Sequence, residues 1–251
     1  MLLVVIFVIT LLSALIAVSG GHGIILTPSL LLLGYDIKEI IFVTRISAVV
    51  FVLFSLIAVI QEKSVPKFDF KDLLITFIAC ISAVFSVYFL DNLSNSNVML
   101  FVVSVLIILL LLSIFDIVQA KHNWIFLIFL PIFAGICGST VGGAGLIICL
   151  LYKIIGIDHC HAVKKRIIPS FVIQVITCIN FLIQITPANN KLLYTVILAT
   201  AIGGYLNIRL FLKLPDHISK SFFYASTVFA ISILIAKAWN NISIEEFWLK
   251  P

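Results

Sequence analysis

The sequence predicts an all-α integral membrane protein built from two copies of one unit, and three observations carry that expectation. The chain of 251 residues is 63% hydrophobic and only 11% charged, with a mean hydropathy of +1.27. A soluble domain of this length cannot hide that much apolar surface, so lipid is the solvent for most of it. Second, sliding the sequence against itself by 122 positions places Gly20, Gly21 and Gly23 on Gly142, Gly143 and Gly145, Gly34 and Asp36 on Gly156 and Asp158, and Ala79 on Ala201. Phe89 and Leu90 fall on Phe211 and Leu212 at the same offset. Matches at one ungapped offset, spread along the chain, mark repeats over residues 1–121 and 123–243, followed by a short polar tail at 244–251. Third, the glycine clusters sit inside runs that are otherwise apolar enough for lipid.

The elements follow in order. Residues 2–18 are an apolar run leading into "VSGGHG". No Lys or Arg precedes the run, "IAVSGG" is a weak cleavage site, and residues 1–19 match 123–141, so this is expected to be part of the mature fold rather than a signal peptide. Residues 24–33 are apolar but too short to cross the hydrocarbon core alone. The stretches 39–60, 70–90 and 98–118 are each close to the ~20 residues a spanning helix needs. The longest strongly hydrophilic stretch, "QEKSVPKFDFKD" at 61–72, separates the first two. The second copy repeats the order: 124–141, the short piece 146–155, then 162–184, 191–212 and 221–239.

No segment is polar enough to form a separate soluble domain, which excludes most enzymes and leaves the function to the membrane part and its loops. The expectation is no catalysis and no cofactor. Without a Walker-type glycine-lysine loop, ATP is not the motor. The five cysteines lack CxxC pairing, and all but Cys160 lie in apolar runs, so they read as small packed hydrophobes. His159, Cys160 and His161 are adjacent and do not converge on one ion, so no metal is expected. The net charge of +5 comes from residues scattered through loops, which fits orientation in a bilayer better than nucleic-acid binding.

Glycine is costly in a buried helix unless the backbone bends there or something approaches it closely. Irregular backbone at membrane depth is tolerated only where it is buried in protein or lines a polar cavity. A helix broken at corresponding places in two repeats points to a transporter site, although glycines also serve as close-packing residues between helices. Helices restarting at Ile24 and Leu146 would present free N–H groups and positive dipole ends, an anion site, with His22 as an added donor or titratable group. Charges inside spans are expensive and so are functional candidates. Arg45 lies about two turns into the second stretch, and Thr44 falls on Arg166 at the repeat offset. Two guanidinium forks at nearly equivalent places can clamp one oxyanion, unless Arg166, ending "KKR", snorkels to the interface. Gln174, Thr177 and Asn180 are spaced along one face of their helix, lining a cavity or joining helices. Asn207 and Arg209 read as structural residues near a helix end.

"GGHGIILTPSLLLLGYDIKEIIFVT" and "GGAGLIICLLYKIIGIDHCHAV" resemble the TauE/SafE sulfite exporter family, in which each half opens with a glycine-rich turn. "GGYLNIRLFLKLPDHISK" at 203–220 resembles the family's Gly-rich helix ending, and the resemblance covers nearly the whole chain. His22 and Ala144 interrupt the usual glycine run. Ile40 stands where Ala is usual (Ala162 fits in the second copy), and Ile81 and Ser82 stand at the positions of Gly203 and Gly204. The resemblance implies an inner-membrane permease for small sulfur-containing or organic anions. The expectation is therefore a secondary anion transporter in a bacterial inner membrane, driven by a proton, an ion or the substrate's own gradient. Its site would be made of Gly20, Gly21, His22, Gly23, Thr44, Arg45, Gly142, Gly143, Gly145, Arg166 and Gln174. A non-transporting scaffold that keeps the fold is the alternative from another class. A metal-cation transporter would need intramembrane carboxylates, whereas the acids fall at or near loops. A homo-oligomer is left open.

Topology follows from the basic residues. Four crossings per copy would make the copies parallel and spread Lys and Arg almost evenly, nine against seven. If each glycine break folds its two short pieces into a re-entrant hairpin, each copy crosses three times and the second is inverted. One side then collects Lys63, Lys67, Lys71, Lys121, Lys153, Lys164, Lys165, Arg166, Arg209, Lys213 and Lys220, eleven against five. The positive-inside rule favours this inverted arrangement.

Overall fold

The computed structural model describes residues 1–17, 21–63, 65–114, 124–140, 142–184 and 190–211, with single positions between 218 and 235. Gly20, most of the expected last span at 221–239 and the polar tail lie outside the described residues. Ten helices and no strand occur among those described: α1 (Leu2–Ile16), α2 (His22–Leu32), α3 (Ile37–Gln61), α4 (Phe70–Asp91), α5 (Asn95–Ile114), α6 (Trp124–Thr140), α7 (Ala144–Ile154), α8 (His159–Lys165), α9 (Ile167–Gln184) and α10 (Asn190–Phe211). Four stretches are long and apolar enough to cross a membrane: Ile37–Gln61, Phe70–Leu90, Cys160–Leu182 and Asn190–Leu210. The pieces flanking both glycine clusters are shorter apolar helices.

Local chemistry sets where the helices begin. The Asp36 carboxylate accepts the backbone N–H of Lys38 at 2.8 Å and starts α3. Asp69 caps α4, and Asp72 reaches back to the Asp69 N–H at 2.7 Å to complete a capping box. In lipid no hydrophobic force drives helices together, so association depends on close packing at small residues and on hydrogen bonds. Leu74, Phe77, Phe85 and Tyr88 of α4 are left exposed, as suits a face turned to acyl chains.

Early and late helices interleave. Helix α3 packs on α9 and α10, α4 on α6 and α9, and α1 on α10, while α2 rests on α1 and α3, and α7 on α6 and α9. Glycines set the closest crossings. A Cβ on Gly203 would stand 2.5 Å from Ala14 Cβ, and one on Gly204 2.7 Å from the Phe51 carbonyl. Ile81 and Ser82 take the corresponding places on α4, and there the glycine is on the facing helix instead: Gly135 of α6 lies against the Ala79 carbonyl. Gly204→Val is expected to overpack the α3–α10 contact by about 1–3 kcal/mol and lower the thermal midpoint of the purified protein. An unchanged midpoint would mean that the contact is loose.

Polar bonds tie the helix ends. Asn207 Nδ2 donates to the carbonyls of Ala14 and Leu15 at 3.0 and 2.7 Å, closing the end of α1. Gln61 Oε1 accepts from Tyr205 Oη and from Arg209 Nη2, each at 2.8 Å. Lys165 Nζ lies 2.9 Å from Asp69 and 3.2 Å from Asp72, and Tyr152 Oη donates to Asp72 Oδ1 at 2.7 Å. The hydrogen bond from Lys165 holds the exposed Asp69 carboxyl below the usual carboxylate range. That contact is therefore intact at neutral pH and is lost as pH falls through the lowered value.

Candidate functional site

The chain leaves helix at both glycine clusters. Helix α1 ends at Ile16, and α2 restarts at His22 from Gly21, whose φ of +122° is open to glycine and disfavoured for residues with a Cβ. Helix α6 ends at Thr140; Gly142 turns at φ +72°, and α7 restarts after Gly143. Neither α2 nor α7 has a side-chain cap on its first N–H groups. The two breaks touch: a Cβ on Gly21 would lie 3.8 Å from Gly143 Cα. Two helix N-termini, each carrying a positive partial charge, therefore begin at one place.

A small cavity lies at this meeting point. Gly21 and His22 line it from the first break, and Gly142 and Gly145 from the second. Ala48, Phe51 and Val52 come from α3; Arg166 stands at the turn before α9, and Ser170 and Gln174 follow one and two turns later. Arg166 is 1% exposed, so it turns inward rather than snorkelling. Arg45 is 0% exposed and stands behind Gly142.

The glycines make room for the guanidinium groups. A Cβ on Gly142 would lie 3.4 Å from Arg45 Nη2, and one on Gly145 only 2.6 Å from Arg166 Nη1. Arg45 Nη2 donates to the Thr140 carbonyl at 2.8 Å and to Thr44 Oγ1 at 3.4 Å, while Thr44 Oγ1 donates to the Ile41 carbonyl at 2.9 Å. Arg45 Nε and Nη1 make no hydrogen bond among the described residues, and no carboxylate there lies within ion-pair distance of Arg45. His22, 1% exposed, has Nε2 at 2.8 Å from Ser47 Oγ and its ring stacked on Phe51 with centroids 5.0 Å apart. Ser170 Oγ and Gln174 Oε1 are buried without a hydrogen-bond partner among the described residues.

A buried cation beside hydrogen-bond donors and positive helix ends, with no acid among the described residues to neutralise it, is chemistry for holding an anion. No cluster of His, Cys, Asp or Glu suited to a metal occurs among the described residues. Of the expected site residues, Gly21, His22, Gly142, Gly145, Arg166 and Gln174 line the cavity. Gly143 touches Gly21, Arg45 lies behind Gly142 with Thr44 bonded to it, and Gly23 is buried in the first turn of α2. Sequence reasoning missed Ser47, Phe51 and Ser170. Ser170 was within reach, since 166, 170 and 174 share one helix face. The buried Asp72 and Tyr152 pair was missed as well.

A family model described as Sulfite exporter TauE/SafE matches residues 2–234. No curated protein and no solved structure matches the chain.

Proposed function

The chain belongs to the sulfite exporter TauE/SafE family of membrane transport proteins, and from that premise we propose that it is a secondary permease moving a small sulfur-containing anion, sulfite or an organosulfonate, by alternating access. The site proposed for that anion is the cavity between the glycine breaks. One observation carries the proposal: Arg45 is fully buried, and two of its guanidinium nitrogens have no hydrogen-bond partner among the described residues. Such a charge is expensive in a membrane interior, and an oxyanion that accepts from it offsets the expense. Arg166, the Ser170 hydroxyl and the first N–H groups of α2 and α7 complete the donor set.

We read the fold as two inverted copies, 1–121 and 123–243. Supporting this, packing recurs in pairs at the 122-residue offset: α4 on α6 corresponds to α10 on α1, and α3 on α10 to α9 on α4. The turns after α2 and α7 match too, with Gly34 at φ +88° and Gly156 at φ +96°. The bonds from Lys165 to Asp69 and from Arg209 to Gln61 favour inversion over parallel copies, because they bring together loops that a parallel arrangement would put on opposite sides. Cysteines introduced at Lys67 and Lys164, in a background without native cysteines, are both expected to be shielded from an impermeant thiol reagent added outside. Labelling of one without the other would indicate parallel copies.

The direct test is uptake of labelled sulfite, organosulfonates and a small carboxylate into proteoliposomes. The expected result is saturable uptake of a sulfur anion without ATP. No uptake of any of them would favour a scaffold that keeps the fold but does not transport.

A further inference from the structure

We propose that His22 is the proton acceptor of this site, so that the anion binds together with one proton carried on Nδ1. The inference rests on the anion-permease reading above and names its coupling ion. It begins with Ser47. That hydroxyl has one hydrogen, and it donates it to the Thr44 carbonyl at 3.0 Å. Ser47 Oγ can then only accept from His22, so the proton on Nε2 points at Ser47 across 2.8 Å. In the neutral ring this leaves Nδ1 with the lone pair. The hydrogen bond of this ring among the described residues is the one at Nε2, and His22 is among the residues that line the cavity. Phe51, stacked on the other side, fixes the plane.

A bare acceptor is out of place among the donors of an anion site, because an ionised oxyanion has no hydrogen to offer it. Protonation turns Nδ1 into a donor and adds a positive charge where the anion sits. Without the anion, the same charge stands close to Arg45 and Arg166 and is repelled. Anion and proton therefore favour each other, and such coupling is reciprocal by linkage. The other titratable groups around His22 do not share this role. Helix α1 has none, and Glu39 of α3 lies in that helix's first turn, away from Ser47. Helix α6 brings Cys137 and α9 brings Cys178, both beside Arg45. The proton is taken from water on the loading side and returned to water on release; no bond other than N–H forms or breaks.

The test is calorimetric titration of the purified protein with sulfite, at mildly alkaline pH where bulk sulfite is the dianion, in two buffers of different ionisation heat. Wild type is expected to take up about one proton per anion, with affinity falling about tenfold per pH unit. His22→Gln keeps an N–H for Ser47 but cannot titrate, and is expected to bind roughly tenfold more weakly with no proton uptake. His22→Asn is read the same way if the glutamine variant does not fold. Sulfite binding by wild type with no proton uptake overturns the proposal without any variant. Undiminished uptake in the variants overturns it too, since the proton then rides on the anion. If wild type binds neither sulfite nor any organosulfonate, the failure belongs to the anion-site reading instead.

Discussion

Arg45→Leu is expected to insert in the membrane, to unfold at a higher temperature than wild type when no anion is present, and to bind and transport nothing. Each part follows from the same side chain. A buried guanidinium loses hydration worth several kcal/mol, and here, among the described residues, only Nη2 makes bonds, to Thr140 and Thr44. Leucine removes that desolvation cost and leaves the Thr140 carbonyl unbonded, a loss of about 1–3 kcal/mol. The balance favours the variant. With the anion present the balance reverses, because two charge-assisted bonds at about 1.5–3 kcal/mol each are gone, at least a hundredfold in affinity. Arg45→Lys keeps the charge without the fork, and at least a tenfold loss is expected. Thermal unfolding with and without sulfite, alongside uptake, reads all three proteins. A leucine variant that is still stabilised by sulfite would show Arg45 to be a structural residue.

Gly145→Ala is expected to leave a stable, inserted protein with transport reduced about a hundredfold. The position is helical, and alanine is the better helix former by about 1 kcal/mol, so the backbone has no objection. The added carbon would stand 2.6 Å from Arg166 Nη1 and 3.1 Å from Ser170 Oγ, so the guanidinium must move. Displacement of a positioned group by ~1 Å can remove two orders of magnitude. Gly143→Ala is the companion measurement: φ there is −91°, ordinary for any residue, so it tests backbone approach without strain. Gly21 cannot serve, because at φ +122° any side chain adds strain of its own. Wild-type uptake by Gly145→Ala would show that Arg166 does not contact the transported anion.

The helices were legible because lipid demands long apolar runs and because their breaks carry glycine. Gly21, Gly142 and Gly145 could be singled out, but the reason for Gly145 could not: it is the nearness of Arg166, which depends on the turn between α8 and α9. Read alone, "KKR" ends in a snorkelling arginine; the chain bends after Lys165 and takes Arg166 inside. Asp72 belongs to the longest hydrophilic stretch and reads as a loop acid. Its capping role is local and readable, whereas its burial under Tyr152 and Lys165 is supplied by helices far along the chain. The partner of His22 was out of reach for the same reason, since Ser47 sits on another helix.

The bonds from Asn207 to the end of α1 bear on how the protein is made. Ala14 and Leu15 emerge among the first residues, yet the amide that takes their carbonyls sits near the end of α10. Until that amide is made, the two carbonyls are without this protein partner. The end of α1 therefore gains this partner only after α10 has been made. The earliest helix translated is completed by one of the last.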